Sequence, residues 1–104
     1  MRKESRIVIE SFLEGKSRKI KNTESTGQEL RLFGNTIAWH VGEKHVGITM
    51  AGWGSDTTRD RLNTLFRLAK ISAGIFQHDH EQYISCDGET KPLGTRDVYY
   101  FAKP

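Results

Sequence analysis

The sequence predicts an α+β fold, in which an antiparallel β-sheet built from two meanders packs against an N-terminal helix and one central amphipathic helix. Three observations lead to this prediction. Strand-like alternation of apolar and polar residues occurs both before and after a single long stretch of helical periodicity. No linker, low-complexity segment or internal repeat divides the chain, and 104 residues suffice for one hydrophobic core but not for two. Runs of strands separated by a long helix are typical of this class, so we interpret residues 1–104 as a single domain.

The first segment of the chain has the spacing of an amphipathic helix. Within residues 3–14, "KESRIVIESFLE", apolar side chains recur at helical spacing with charged residues opposite them. These apolar residues are Ile7, Val8, Phe12 and Leu13. Gly15 follows, and glycine commonly ends helices because it adopts the left-handed conformation without strain. We predict a helix over residues 3–14.

A first meander of three or four strands is predicted over residues 18–53. "KIKNTES" and "QELRLFG" alternate short apolar and polar positions and are separated by a Ser-Thr-Gly turn. "NTIAWHV" and "HVGITMAGW" flank "GEK", a short connection typical of a β-hairpin. The period of two places Ile37 and Trp39 on one face of the strand, and Ala38 and His40 on the other.

The central helix is predicted over residues 56–72. Ser55, Asp56 and Thr57 carry side-chain oxygens that can accept the free amide hydrogens of a first helical turn. The residues that follow form an apolar stripe at positions i, i+3, i+4 and i+7, namely Leu62, Leu65, Phe66 and Ala69.

The remaining residues return to the strand pattern. "AGIFQHD" and "QYISC" can pair across His80 and Glu81, and "CDGET" has the composition of a tight turn. "RDVYYFA" then gives a last strand, with Val98 and Tyr100 on one face. We therefore predict three strands after the central helix.

Composition excludes several classes of protein. Hydrophobic residues make up 36% of the chain and charged residues 28%, which favours a folded globule over a disordered tail. No apolar run approaches the roughly 18 residues of a membrane helix, and the charged N-terminus lacks the apolar centre of a signal peptide. The single cysteine, Cys86, cannot form an internal disulfide, as is usual in a reducing compartment. We expect no membrane association and a cytoplasmic location.

The net charge of +3 comes from the first half of the chain. Residues 1–52 contain nine Lys and Arg against six Asp and Glu, a difference of +3, whereas residues 53–104 contain seven of each. Four basic residues fall within "GKSRKIK", namely Lys16, Arg18, Lys19 and Lys21. Such a cluster can bind nucleic acid phosphates, although a solvated charged face is the commoner explanation.

The stretch "AGWGSDTTRDRLNTLF", residues 51–66, carries the densest candidate site. Two glycines allow close backbone approach, and Arg59 and Arg61 can pair with an anion at the start of the helix. The alternative is a tight connection between a strand and a helix, with Trp53 as a core or rim aromatic. The polar face of the helix can also form a basic ridge that contacts a partner. Trp53, Arg59, Asn63 and Arg67 are the predicted partner-binding residues, with Lys70 continuing the ridge.

No catalytic, metal or cofactor motif is complete. His78 and His80 in "QHDHEQ" share a strand face, but the spacing of His40, His45 and Cys86 matches no zinc motif. Neither a P-loop nor a nucleophile elbow follows the glycines. We expect no enzyme, no metal and no cofactor.

The segments "LFGNTIAWH" and "ITMAGWGSDTTRDRLNTL" resemble a pattern found in small proteins of tailed bacteriophages. There, a Gly-Asn-x-Ile-Ala strand precedes a helix entry with Gly-Trp, Thr-Thr-Arg and Arg-Leu-Asn. The matching positions are Gly34, Asn35, Ile37, Ala38, Gly52, Trp53, Thr57, Thr58, Arg59, Arg61, Leu62 and Asn63. The resemblance covers about 30 residues and implies a phage or prophage origin, without an activity or a binding residue to carry over.

These observations favour a small phage binding protein without enzymatic activity, which docks on a host protein in the host cytoplasm as a host-factor or defence-system inhibitor. Nucleic-acid binding through the basic segment is the first alternative. A structural homo-oligomer, formed by pairing of strand edges, is the second. Both a monomer and a homodimer are compatible with the sequence.

Overall fold

The computed structural model describes the backbone of residues 3–103 and the side chains of residues 5–103. Two helices, α1 (Lys3–Leu13) and α2 (Asp56–Leu68), accompany nine strands in this part of the chain. Five strands precede α2, namely β1 (Ser17–Ile20), β2 (Thr23–Thr26), β3 (Glu29–Leu32), β4 (Asn35–Val41) and β5 (His45–Ile48). Four follow it, namely β6 (Ala73–His78), β7 (Glu81–Cys86), β8 (Glu89–Pro92) and β9 (Tyr99–Ala102). The predicted α+β class, with its N-terminal and central helices, is confirmed.

The strands form two antiparallel sheets. The large sheet has six strands in the order β1-β2-β3-β4-β5-β9, and the small sheet has three in the order β6-β7-β8. The last strand therefore leaves the second meander and pairs with β5, with Phe101 opposite Val46. The prediction of three strands after α2 was wrong, because "ETKP" forms β8 although all of its residues are exposed and show no apolar alternation.

The first meander has more strands than predicted. "KIKNTES" does not form one strand, because Lys21 has a positive φ of 55° and turns the chain back on itself. Ile20 then lies opposite Thr23, and β1 and β2 form a hairpin. Glycine or asparagine usually occupies such a left-handed position, so a lysine there gave no turn signal.

A β-bulge in β4 changes which residues face the core. Leu30 lies opposite Ala38, but the next residue of β3, Arg31, lies opposite Thr36, so Ile37 is an extra residue in β4. Ile37 and Ala38 are consequently both buried, whereas Trp39 turns outward and remains partly exposed. The strict alternation predicted for this strand, with Ile37 and Trp39 on one face, was wrong.

Helix α1 ends close to its predicted position, whereas α2 ends earlier than predicted. In α1 the fully buried residues are Val8, Ile9 and Phe12, whereas the predicted core residues Ile7 and Leu13 are half-buried. α2 ends at Leu68 rather than at residue 72, because Lys70 adopts a φ of 59°.

The end of α2 is a Schellman motif. The amide of Ile71 donates to the carbonyl of Phe66 at 2.8 Å, and the amide of Lys70 donates to that of Arg67 at 3.3 Å. Glycine usually takes the position of Lys70, so the sequence did not indicate the stop. Of the predicted apolar stripe of α2, Leu62, Leu65 and Phe66 are fully buried, whereas Ala69, the C-cap residue, is half-buried.

Candidate functional site

The connection from β5 to α2 positions Trp53. Ala51 and Gly52 have positive φ angles of 54° and 88°, and the amide of Trp53 donates to the carbonyl of Met50 at 2.9 Å. This tight turn directs the indole outward, and 61% of Trp53 is exposed. An exposed tryptophan between two glycines is a candidate contact residue, because tryptophan is enriched among residues that dominate binding energy.

The two glycines serve the packing of the chain itself. A Cβ on Gly52 would lie 3.2 Å from the guanidinium of Arg96, and a Cβ on Gly54 would lie 3.2 Å from the side chains of Gln82 and Thr95. The amide of Gly52 also donates to the carbonyl of Thr95 at 2.8 Å. The close approach that the sequence suggested for a ligand is therefore made by the loop between β8 and β9 and by Gln82 of β7.

The predicted caps of α2 are in place. Ser55 is the N-cap residue, and its hydroxyl accepts a hydrogen bond from the amide of Thr58 at 3.2 Å. Asp56 lies in the first turn, where a negative charge is stabilised by the helix dipole. This part of the stretch is a well-made helix start.

Arg59 does not form part of an open ridge. Its Nη1 donates to the carbonyl of Gly54 and to the Oε1 atoms of Gln77 and Gln82, at 3.1, 3.1 and 2.7 Å. Its Nη2 pairs with Asp56, and only 12% of the Arg59 side chain is exposed. The guanidinium thus ties the start of α2 to the small sheet.

Asn63 and Arg61 are held in the same way by internal partners. The Asn63 amide donates to the carbonyl of Ile75 at 2.8 Å and accepts from the amide of Ile75 at 2.7 Å, which fixes α2 to β6. Arg61 is buried, with 3% exposed, and its Nε donates to the Thr23 hydroxyl at 2.9 Å. It also pairs with Asp60. The anion pairing suggested for the two arginines would have to displace these contacts.

The predicted partner-binding residues do not converge on one surface. Arg67 is exposed, but it lies eleven residues after Asp56 in α2, about 16 Å along the axis at 1.5 Å per residue. Trp53 stands before the opposite end of the helix. The structure therefore separates Trp53 from Arg67, with Arg59 and Asn63 engaged internally between them.

A second exposed aromatic residue lies close to Trp53. Phe33 is 69% exposed, and together with Trp53 it lines a cleft of about 340 Å³. We call this the Phe33–Trp53 cleft. Its remaining lining comprises the apolar residues Leu32, Ile37 and Met50 and the polar residues Asn35, Ser55, Thr57 and Thr58. An apolar floor beneath two exposed aromatic rings, with hydroxyl and amide groups at the rim, is the composition of a binding site.

Phe33 occupies a strained position. It has a φ of 51° and Gly34 a φ of 81°, so the two residues form a turn with both central residues in the left-handed region. Asn-Gly is the favoured pair at such a turn, and a bulky residue there is unfavourable. The amide of Phe33 also donates to the carbonyl of Asn22 at 2.8 Å, which fixes this turn against the β1–β2 turn. Strain of this kind concentrates at functional sites.

Sequence reasoning missed Phe33, although "LFGN" contained a signal. An aromatic residue directly before a turn glycine takes a place that polar residues normally fill. The partners of Phe33 in the cleft were not recognisable, because Leu32, Ile37 and Met50 come from different strands or strand ends.

The basic cluster lies at the edge of the large sheet. Strand β1 is an edge strand, and the side chains of Lys16, Arg18, Lys19 and Lys21 are all exposed. Carboxylates approach two of them, because Glu14 lies 3.8 Å from Lys16, and Glu24 is the cross-strand neighbour of Lys19. Charged side chains on an edge strand also oppose pairing with further strands.

Residues 3–103 contain no group of side chains that could hold a metal ion and no helix that could cross a membrane. No three His, Cys, Asp or Glu side chains in this range are grouped so that they can hold a metal ion. His78 lies beside Asp79, and both side chains are exposed. Neither helix of the described chain is long and apolar enough to cross a membrane.

Comparison with known proteins places the chain in a family. No curated protein and no solved structure matches it. A family model described as the Kyanoviridae Gp96 protein matches residues 1–102, which is almost the whole sequence and includes both walls of the Phe33–Trp53 cleft. The chain therefore belongs to the Kyanoviridae Gp96 family of bacteriophage proteins.

Proposed function

We propose that this phage protein is a binding protein without enzymatic activity, which docks on a host protein in the host cytoplasm through the Phe33–Trp53 cleft. The observation that carries the proposal is the exposure of Phe33 (69%) and Trp53 (61%) on either side of an apolar floor. Large aromatic side chains are rarely left in solvent around an apolar depression unless a partner covers them.

The cleft suits an apolar side chain of the partner. Its floor is formed by Leu32, Ile37 and Met50, and its volume of about 340 Å³ is small. Binding sites for small molecules span roughly 300–1,000 Å³, so this cleft lies at the lower end of that range. An apolar anchor residue on a host protein can fill the cleft. The hydroxyl groups of Ser55 and Thr57 can then form hydrogen bonds with the backbone of the host protein on either side of that residue.

The first experiment is an affinity capture from host-cell lysate after nuclease treatment, followed by calorimetry with the purified captured protein. Trp53→Ala and Phe33→Ala should each weaken binding by about thirtyfold, which corresponds to about 2 kcal/mol for a residue that dominates an interface. Phe76→Ala is the matched control, because Phe76 is also an exposed aromatic residue, 42% exposed, but lies in β6 outside the cleft. Equal capture of the host protein by the wild type and by all three variants would refute docking at this cleft.

The contribution of α2 is tested by Arg67→Glu. Arg67 is exposed, and among the described residues its side chain makes one hydrogen bond, to the Thr64 hydroxyl at 3.5 Å, so reversal of its charge should leave the fold intact. Arg59→Glu is unsuitable, because it would break the hydrogen bonds to Gly54, Gln77 and Gln82. Weaker capture by Arg67→Glu would extend the interface along α2, and unchanged capture would confine it to the cleft.

Nucleic-acid binding is the second candidate, favoured by the exposure of all four side chains in the cluster Lys16, Arg18, Lys19 and Lys21. Four phosphate contacts predict that the logarithm of the binding constant falls with the logarithm of salt concentration with a slope of about −3.6. A flat dependence on salt, or capture that survives nuclease, would reject this candidate.

A homo-oligomer is tested by sedimentation, where a monomer at high micromolar concentration would reject it.

A further inference from the structure

The last strand leaves one backbone edge open. Among the strands of residues 3–103, β9 pairs only with β5. The amide of Lys103 donates to the carbonyl of Lys44 at 2.7 Å, and residues two apart in a strand point the same way, so Phe101 also faces β5. Tyr100 and Ala102 consequently present their N–H and C=O groups to the open edge.

A groove borders this edge. Its volume is about 460 Å³, and one side is formed by β9 itself. The opposite side comes from the small sheet, through Ile84, Cys86, Asp87, Glu89 and Lys91. Because residues of β7 and β8 line the groove opposite β9, the open edge faces a partly enclosed groove rather than a flat surface.

The size of the groove fits a short extended segment. With a strand spacing of about 4.8 Å, a sheet spacing of about 10 Å and a rise of about 3.3 Å per residue, one strand residue fills about 160 Å³. A groove of 460 Å³ therefore holds roughly three residues of a single strand. Three residues are enough to bond with both Tyr100 and Ala102.

We propose that this groove binds an extended segment of another protein, which adds to β9 as a seventh strand of the large sheet. Backbone hydrogen bonds to Tyr100 and Ala102 supply the affinity, as in other complexes formed by strand addition. An apolar side chain of the segment packs against Ile84 and Cys86, and a basic side chain lies next to Asp87.

The charged side chains that line the groove favour a basic residue in the bound segment. Glu89 and Lys91 neutralise each other, with 3.6 Å between their charged atoms. Asp87 has no ion-pair partner among the described residues, and its carboxylate contacts only the Cys86 thiol, at 3.6 Å. The groove thus carries one uncompensated negative charge, which a lysine or arginine in the segment neutralises.

A second β9 cannot supply the segment. Each copy carries its small sheet beside its own β9, because the core joins Ile84 of β7 to Phe101 of β9. Pairing two β9 edges would bring both small sheets into the same space. The occupant is therefore a strand other than a second β9.

The test is an NMR titration of the full-length protein with the peptide Ac-Lys-Val-Thr-Val-Lys-NH₂, which reads similarly in both directions. We expect saturable shifts of the Tyr100 and Ala102 amides, together with slower alkylation of Cys86, which lies in the groove. The control peptide is N-methylated on the amides of its three central residues, so it keeps its side chains and charge, but these three residues cannot donate backbone hydrogen bonds to β9. It should not bind.

Three variants locate the contact on the protein. Ala102→Pro removes an outward-facing N–H that is not used in the β5 pairing, and proline is tolerated at such an edge position. It should abolish peptide binding, whereas Ala102→Val, which retains the N–H, should not. Asp87→Asn should weaken binding of the lysine peptide about two- to fivefold, as for a partly exposed ion pair.

Several outcomes would overturn the proposal: no saturable shift at millimolar peptide, equal binding of the methylated peptide, or shifts located at Trp53. The methylated peptide decides the question even if Ala102→Pro fails to fold. Trp53→Ala should leave peptide binding unchanged, since the Phe33–Trp53 cleft and this groove share no lining residue. The failure of one site is thus distinguishable from the failure of the other.

Discussion

At the scale of single residues, the polar side chains of α2 act mainly inside the protein. Arg59 bonds to the small sheet, Asn63 clamps the backbone of Ile75, and Arg61 reaches the Thr23 hydroxyl in the large sheet. Each arrangement satisfies groups that would be costly to bury without a partner. Polar residues at helical spacing predicted a surface ridge, yet here they connect α2 to both sheets.

The cysteine thiol provides a prediction that depends on pH. Burial, followed by the negative charge of Asp87, raises the pKa of Cys86 above its ordinary value. The thiolate is the reactive form, so at pH 8 the native protein should react with iodoacetamide more slowly than the protein unfolded in urea. The difference should narrow as the pH rises through the native pKa, because both states are then thiolates.

Asp87→Asn is the companion variant for this measurement. Removal of the negative charge lowers the thiol pKa, so the native rate at pH 8 should increase. A native rate equal to the unfolded rate at pH 8 would contradict the raised pKa. A ratio of rates that does not change with pH would show that restricted access alone slows the reaction.

At the scale of elements, the β3–β4 turn places an aromatic ring in solvent at a cost in folding stability. Phe33 is held in the left-handed region by the turn and by its hydrogen bond to Asn22. A residue other than glycine in that region costs roughly 1–2 kcal/mol, and asparagine tolerates it best. Sequences that retain such a cost usually do so at functional sites, often with a loss of stability.

Phe33→Asn should therefore stabilise the protein while it removes binding. We expect the free energy of unfolding to rise by about 0.5 to 1 kcal/mol, because asparagine accepts the positive φ more readily than phenylalanine. Urea denaturation measures the change. Phe33→Ala is the control, since it removes the ring without easing the backbone and should not increase stability. Destabilisation by Phe33→Asn would show that the ring stabilises the fold by more than its positive φ costs.

At the scale of the whole molecule, the C-terminal strand joins the two halves of the chain. β9 pairs with β5, more than fifty residues earlier, and Phe101 packs edge-to-face on Phe66 of α2 with 5.2 Å between the ring centroids. The small sheet reaches the same core through Ile75 and Ile84. One core therefore connects both sheets and both helices.

Two neighbouring aromatic residues of β9 test this connection. Phe101→Ala should reduce the free energy of unfolding by about 2 to 4 kcal/mol, because it leaves a cavity beside Phe66. Tyr100→Ala should cost about 1 kcal/mol or less, since Tyr100 is 59% exposed and its ring forms a T-shaped contact with Trp39 at the surface. Similar losses for the two variants, measured by urea denaturation, would contradict the assignment of Phe101 to the core.

The sequence by itself determined the elements that local signals specify. The α+β class, the cap and apolar stripe of α2, and the β4–β5 hairpin follow from periodicity and turn chemistry, which act over a few residues. The end of β1 and the end of α2 were predicted at the wrong positions. At both ends a lysine, Lys21 or Lys70, adopts a left-handed conformation, and glycine is the residue that normally marks such an end in a sequence. The phage family was also indicated by local motifs and is supported by the match over residues 1–102.

Only the tertiary structure decided what the side chains do. The pairing of β9 with β5 and the meeting of Phe33 with Trp53 join residues distant in the sequence, and no local pattern specifies such contacts. Arg59 and Asn63 carry the same charge and polarity whether solvent or the small sheet faces them, so composition cannot distinguish a docking ridge from an internal clamp. The exposure of Trp53 belongs to the same class, because burial depends on what the rest of the chain places over a residue.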